Sequence, residues 1–187
     1  HRVDRRQRQM CIRDRLSASV VPLQIATEML ARGDADLGVA MSDVSTPLVA
    51  AEPIGHAQAV CVLPAGHRLT RERAVTAAML AHETLISYRP NSLPGQLLTQ
   101  DFARAGLDYR TQVEIDVSII ALSFVQQGIG VALVDGLIPW EGHAGLVIRP
   151  YRPEVRLPIA ILTGTRRPLS HQQDRLRRVH RLAQEQR

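Results

Sequence analysis

The chain has 187 residues, a formal charge of +5, 45% hydrophobic residues and two cysteines. That size suits one ordinary domain or two small lobes with a real core. No apolar run approaches the length that crosses a bilayer, and no charged, apolar and small-residue succession marks a secretory signal, so a reducing cytoplasm is expected.

The charge is unevenly placed. Residues 1–15 carry six arginines against two aspartates, a net +4, which leaves only +1 elsewhere. Within them, Arg5 to Arg15 resembles a translated transposase sequencing-library adapter, so residues 1–15 are expected to be non-native and are set aside from fold reasoning. Cys61 then remains alone in the apolar run Ala59–Leu63 and reads as a small buried core residue. Every cation besides histidine is arginine.

From Leu16 onward the order of elements is regular. Pro22 to Arg32 has helical apolar spacing, with proline admissible in the first turn and Gly33 placed to end it. Ala35 to Ala40 reads as a strand, followed by a polar loop from Ser42 to Pro47. Leu48 to Ile54 is mostly apolar, and Gln58 to Leu63 is a strand that runs into Pro64-Ala65-Gly66-His67, where His67 is placed to cap local backbone. Thr76 is positioned to cap a short helix through Leu80, and Glu83 to Ser87 is a compact strand. Ser92 is positioned to cap a helix from Leu93 to Ala105 that Gly106 ends.

Thr111 to Ile115 is a further strand, and Asp116 or Ser118 is placed to cap the helix that runs to Gln127. That helix stops at Gly128-Ile129-Gly130, and the apolar Val131–Val134 follows, as in a strand buried on both faces. This alternation of strand and helix predicts an α/β fold with a parallel sheet. After Asp135-Gly136 come strands at Leu146–Ile148 and Leu157–Leu162, then a helix from about Ser170 to Glu185 whose polar face is rich in arginine, read as a solvated face.

Constellations that would carry catalysis are absent. His56, His67, His82, His143, His171 and His180 are scattered without metal-ligand spacing, so no metal is expected. No nucleophile elbow or phosphate loop occurs, and Gly128-Ile129-Gly130 lacks both the third glycine and the strand-first order of a dinucleotide fingerprint. No cofactor is expected and the chain is not read as an enzyme. Glu52 with Asp43, and Asp116 with Glu114, read as surface charges. What remains are polar residues at strand-to-helix turns: Ser87, Tyr88, Arg89 and Ser92 after one strand, Asp116 and Ser118 after another. Such turns aim N–H groups and hydroxyls at the carboxyl edge of a parallel sheet, where a small anion or polar ligand can sit.

Three blocks, in this order and spacing, resemble the effector-binding domain of LysR-type transcriptional regulators. They are Leu30-Ala31-Arg32-Gly33-Asp34-Ala35-Asp36-Leu37-Gly38-Val39; Glu52-Pro53-Ile54 with Val60 through Leu69; and the glycine junction Phe124 to Val134. The resemblance covers residues 16–187. It implies a type II periplasmic-binding-protein-like fold, two α/β lobes joined by two crossing strands, with residues 16–63 and 137–187 as lobe I and 64–136 as lobe II.

It also implies a small-molecule effector in the cleft, with a carboxylate-bearing molecule as the expected class. The implied contacts are Ser87, Tyr88, Arg89 and Ser92, then Asp116, Val117 and Ser118, and Ser42 beyond the first strand. The family's contact at the start of the first helix falls near Pro22-Leu23, where neither side chain has a hydroxyl and Ser19 is the nearest substitute. Asp135 stands where the family usually has proline, and Arg68 where it often has a second one. DNA binding belongs, on this reading, to a winged helix-turn-helix domain absent from the chain, and the full-length regulator is expected to be a homo-oligomer with no membrane contact. The first strand and helix of lobe I are expected to be missing too, which would leave apolar surface uncovered. A solute-binding protein of the same fold serving transport is the alternative, with an enzyme on a related two-lobed scaffold third.

Overall fold

A computed structural model describes residues 17–43 and 45–165. The adapter-like segment and the stretch from about Ser170 to Glu185, where an arginine-rich helix is expected, lie outside the described residues. The described chain runs α1 (Leu23–Arg32), β1 (Gly38–Ala40), β2 (Val49–Pro64), β3 (Val75–Thr76), α2 (Ala77–Leu80), β4 (Leu85–Tyr88), α3 (Leu93–Arg104), β5 (Val113–Ile115), α4 (Ala121–Gln126), β6 (Val131–Asp135), β7 (Leu146–Arg152) and β8 (Arg156–Gly164). A 3₁₀ turn, Ser118–Ile120, leads directly into α4.

The strands form one eight-stranded sheet with the path β1-β8-β2-β6-β4-β5, and β7 pairs with β2 and β3 beside it. The expected parallel character holds for β4 with β5 and β4 with β6. The short β3 also pairs in parallel with β7, while β1 with β8, and β2 with β6, β7 and β8, are antiparallel. The sheet is therefore mixed, and its three-stranded parallel portion, β5-β4-β6, is the one built by the α3 and α4 crossovers.

The two separate segments expected at Leu48–Ile54 and Gln58–Leu63 are one strand, β2, of 16 residues. Gly55 and His56 lie inside it because β8 supplies a continuous antiparallel partner from Val49 to Gln58, with the register shifting between Pro53 and Gly55. From Ala59 onward the partners of β2 change to β6 and β7. One strand thus runs through two neighbourhoods of the sheet.

The buried side chains divide accordingly. The larger cluster gathers Cys61, Val62 and Leu63 of β2 with Leu85, Ile86, Leu98, Phe102, Val131–Val134, Trp140 and Tyr151. The smaller one contains Leu30, Val49, Ala160 and Leu162, under α1 and β1. Around that smaller core Val39 is 63% exposed, and Leu23, Ile25 and Leu48 are exposed as well. Cys61 is fully buried, as its apolar run predicts.

The glycine junction is built by two different constraints. Gly128 has φ +71, the left-handed geometry that ends a helix without a Cβ penalty. Gly130 is needed for close approach, since a Cβ there would lie 2.2 Å from the carbonyl oxygen of Thr84. The Val131 N–H donates to that same oxygen at 3.0 Å, which sets β6 in register beside β4.

Candidate functional site

Because β5, β4 and β6 are parallel neighbours, their carboxyl ends, Ile115, Tyr88 and Asp135, reach one edge of the sheet. Strand β4 lies between the other two, so the chain leaves it toward β5 and returns past it to β6. This is the strand order that opens a crevice beyond the carboxyl ends.

The polar residues at this edge form one network. Asp135 is 1% exposed, and its carboxylate accepts from the Tyr88 hydroxyl at 2.6 Å, from the Ser118 hydroxyl, and from the Leu137 N–H at 3.0 Å. The Asp135 N–H donates back to the Tyr88 oxygen at 3.2 Å, and the Trp140 indole N–H donates to the Asp135 carbonyl at 2.9 Å. A buried carboxylate is tolerable only when so supplied with donors. Burial first, and then the adjacent Asp135 charge, push the Tyr88 hydroxyl well above the ordinary phenol value.

Ser87 is fully buried and donates to the Leu133 carbonyl at 2.5 Å, tying β4 to β6. The Tyr109 hydroxyl donates to the Tyr88 carbonyl at 3.0 Å, and burial raises its pKa also.

Outside this buried layer, Arg89 reaches over to the end of β5. Its Nε lies 2.9 Å from Asp116 Oδ1 and its Nη1 lies 3.6 Å from Glu114 Oε2. All three side chains are partly exposed, which makes this a polar rim with little weight in stability. The pair Asp116 and Glu114, expected as separate surface charges, is brought together by one guanidinium.

The capping expectations come out unequally. Ser92 caps α3: its hydroxyl accepts from the Gly95 N–H at 3.2 Å and donates to the Arg89 carbonyl at 2.7 Å. Gly95 is required there, because a Cβ would lie 1.9 Å from the Arg89 oxygen. His67 caps as expected, its Nδ1 accepting from the Leu69 N–H at 3.3 Å. Thr76 stands at the start of α2 without a side-chain capping bond. Ser118 and Asp116 do not cap either. The turn begins after Val117, a half-buried residue, and the Ser118 hydroxyl goes to Asp135, seventeen residues away.

Ser42, 6% exposed, lies apart from this network, in a pocket of ≈ 210 Å³ that it lines with Leu23, Thr27, Thr46, Val49 and Leu162. The residue that sequence reasoning did not place in the site is Asp135, noted only as a departure from a family pattern. Its signal was present as an acid closing a strand of four apolar residues, Val131 to Val134, whose burial is complete. Among the described residues no group of three His, Cys, Asp or Glu side chains is arranged to hold a metal ion. Among them, too, no helix is long and apolar enough to cross a membrane.

Comparison with known proteins adds a consistent set of similarities. A family model described as the LysR substrate binding domain matches residues 15–186. Regulatory protein NocR of Agrobacterium tumefaciens is 32% identical over 165 residues, 86% of this chain and 55% of that protein. Transcriptional activator protein LysR of Escherichia coli is 30% identical over 112 residues, 59% of this chain and 36% of that protein. The chain therefore spans about half or less of the length of these relatives. Among solved structures, the BenM effector binding domain with benzoate superposes with a TM-score of 0.67 at 22% identity, covering 88% of this chain and 76% of that one. The effector binding domain of QuiR in complex with shikimate gives 0.72 at 12% identity, covering 86% and 77%. The two-lobed α/β fold of effector-binding domains is thereby the fold of this chain.

Proposed function

The chain belongs to the LysR substrate-binding-domain family, and from that premise we propose that it is the effector-sensing module of a transcription regulator. A small molecule bound at the carboxyl edge of β5, β4 and β6 shifts the balance between lobe arrangements by binding one of them better. Contacts with DNA, and the assembly that transmits the shift, fall to the complete regulator, in the cytoplasm where its DNA is. No chemical step is assigned to the site.

The observation that carries this reading is the convergence of Arg89, Asp116, Ser118 and Asp135 at one edge of the parallel strands, on a chain of this family. Arg89, Asp116, Val117 and Ser118 are taken as the residues nearest the effector. Ser87 and Tyr88, at 0% and 1% exposed, act from behind by holding strand ends, and Ser92 acts by capping α3. Ser42 is taken as the contact from the smaller core. The lobes are read as meeting where β2 exchanges β8 for β6 and β7, between Gln58 and Ala59, and the return as falling between β7 and β8. This moves both crossings from the Pro64 and Asp135 positions that the family blocks imply. Transport is the less favoured use of the fold, since the relatives are named as regulators.

A thermal-shift screen of small metabolites, followed by calorimetry on hits, tests the assignment. An authentic effector is expected to lose about tenfold or more in affinity in Ser118→Ala and Arg89→Ala proteins that remain folded. Hits whose affinity is the same in both variants would place the site elsewhere.

A further inference from the structure

Resting on the assignment of this edge as the effector site, we infer that its ligand presents a protonated amine or guanidinium to Ser118 rather than a carboxylate. A serine hydroxyl has one hydrogen, and an ionised carboxylate can only accept. The Ser118 hydrogen is donated to Asp135 Oδ2, and so is that of Tyr88, whose oxygen already accepts from the Asp135 N–H. The Ser87 hydrogen goes to the Leu133 carbonyl and the Tyr109 hydrogen to the Tyr88 carbonyl. None of these hydroxyls keeps a hydrogen to offer outward. Of Ser87, Tyr88, Ser118 and Asp135, Ser118 has the largest accessible fraction, at 8%, and what its oxygen has left is lone-pair capacity. A ligand N–H satisfies that oxygen. A ligand carboxylate would set acceptor against acceptor.

The local charges point the same way. Arg89 is paired with Asp116 and Glu114 on the rim, while the Asp135 carboxylate behind Ser118 forms no ion pair among the described residues and is held by hydroxyl and N–H donors. Among these described side chains, three carboxylates stand with one guanidinium, a net negative set, and Asp135 is buried where its field is weakly screened. The other feature here that would attract an anion, the start of α3, is occupied from within: the Gly95 and Gln96 N–H groups donate to the Ser92 hydroxyl and carbonyl. An anion placed against Ser118 would therefore meet an oxygen with no hydrogen to give, beside the buried Asp135 carboxylate. The expectation of a carboxylate effector is thus replaced at this subsite by a cationic group, and a ligand carboxylate, if present, belongs at the other end of the molecule.

Matched four-carbon probes separate the possibilities: 1,4-diaminobutane, 4-aminobutanoate and succinate, titrated into the protein and followed by amide chemical shifts. The amine-bearing probes are expected to bind about tenfold or more tightly than succinate, and to weaken in Ser118→Ala. In Asp135→Asn the carboxamide donates to Ser118 Oγ, which frees the serine hydrogen to point outward, and the preference for amine over succinate should shrink or reverse. Should Asp135→Asn fail to fold, the rim variant Glu114→Gln/Asp116→Asn, altered only at partly exposed positions, should shrink the same preference. Succinate binding more tightly than diaminobutane, with sensitivity to Ser118→Ala, would overturn the inferred charge and leave the site standing. Amine binding indifferent to Ser118→Ala would overturn the site and this inference with it, as would no saturable binding of any probe.

Discussion

Tyr88 and Asp135 are joined twice: the tyrosine hydroxyl donates to the carboxylate at 2.6 Å and accepts from the N–H of the same aspartate at 3.2 Å. This pair of hydrogen bonds between the ends of β4 and β6 fixes the floor beneath Ser118. Tyr88→Phe removes one donor to a buried carboxylate and the acceptor for a buried N–H, leaving both short of partners. A loss of about 1–3 kcal/mol in unfolding free energy is expected by urea denaturation, with the slope unchanged.

The chain has three tyrosines, Tyr88, Tyr109 and Tyr151, and all three are raised above the ordinary phenol pKa, in each case mainly by burial. Tyr151 is further held by its donation to the buried Asp101 at 2.6 Å. A raised folded-state pKa means that above pH about 10 the unfolded chain releases phenolic protons that the folded chain keeps. The stability these groups contribute is fully present below that pH and falls as pH rises through the window between the unfolded and folded values. The slope approaches about 1.4 kcal/mol per pH unit for each tyrosine. Tyrosinate absorbance should therefore appear together with loss of circular dichroism. A native titration step near pH 10 would contradict this.

Gly130 and Gly128 sit two residues apart and should respond differently to alanine. At Gly130 the added Cβ meets backbone, the Thr84 oxygen, at 2.2 Å, so β6 must leave its register or β4 must move. At Gly128 the Cβ meets nothing within 4 Å, and only the φ of +71 opposes it. Gly128→Ala is expected to cost about 1–2 kcal/mol, and Gly130→Ala clearly more, enough to deplete the folded protein, by thermal unfolding monitored by circular dichroism.

The α3 cap offers a third stability test. Ser92→Ala deletes the acceptor for the Gly95 N–H and the donor to the Arg89 carbonyl, and about 1 kcal/mol should be lost. Ser92→Asp, which restores the acceptor beside a helix N-terminus, should recover part of it.

The sequence was most readable where local physics decides the outcome. Gly33 and Gly106 end α1 and the α3 turn with φ of 80 and 72, Ser92 caps α3, and the helix, glycine and strand order from Ser118 to Asp135 forms as its spacing predicts. It was least readable where a distant partner decides. Strand β2 continues through Gly55 and His56 because β8 lies beside it. The Ser118 hydroxyl forgoes its turn for an acid seventeen residues on. The family blocks pointed to the turns after Ser87 and at Asp116–Ser118, and these do share one sheet edge. The roles within that edge, with Ser87 and Tyr88 behind and Arg89 bridging two acids, follow from burial and hydrogen-bond direction, which spacing does not carry.

Amide hydrogen exchange, with and without a saturating effector found by the metabolite screen, tests the central claim most directly. Slowed exchange is expected in Tyr88–Ser92 and in Asp116–Ile120, the two turns that Arg89 and Asp116 join at the carboxyl edge of the parallel strands. Saturating effector that leaves both turns exchanging as in the free protein, while another part of the chain is protected, would contradict the proposed site.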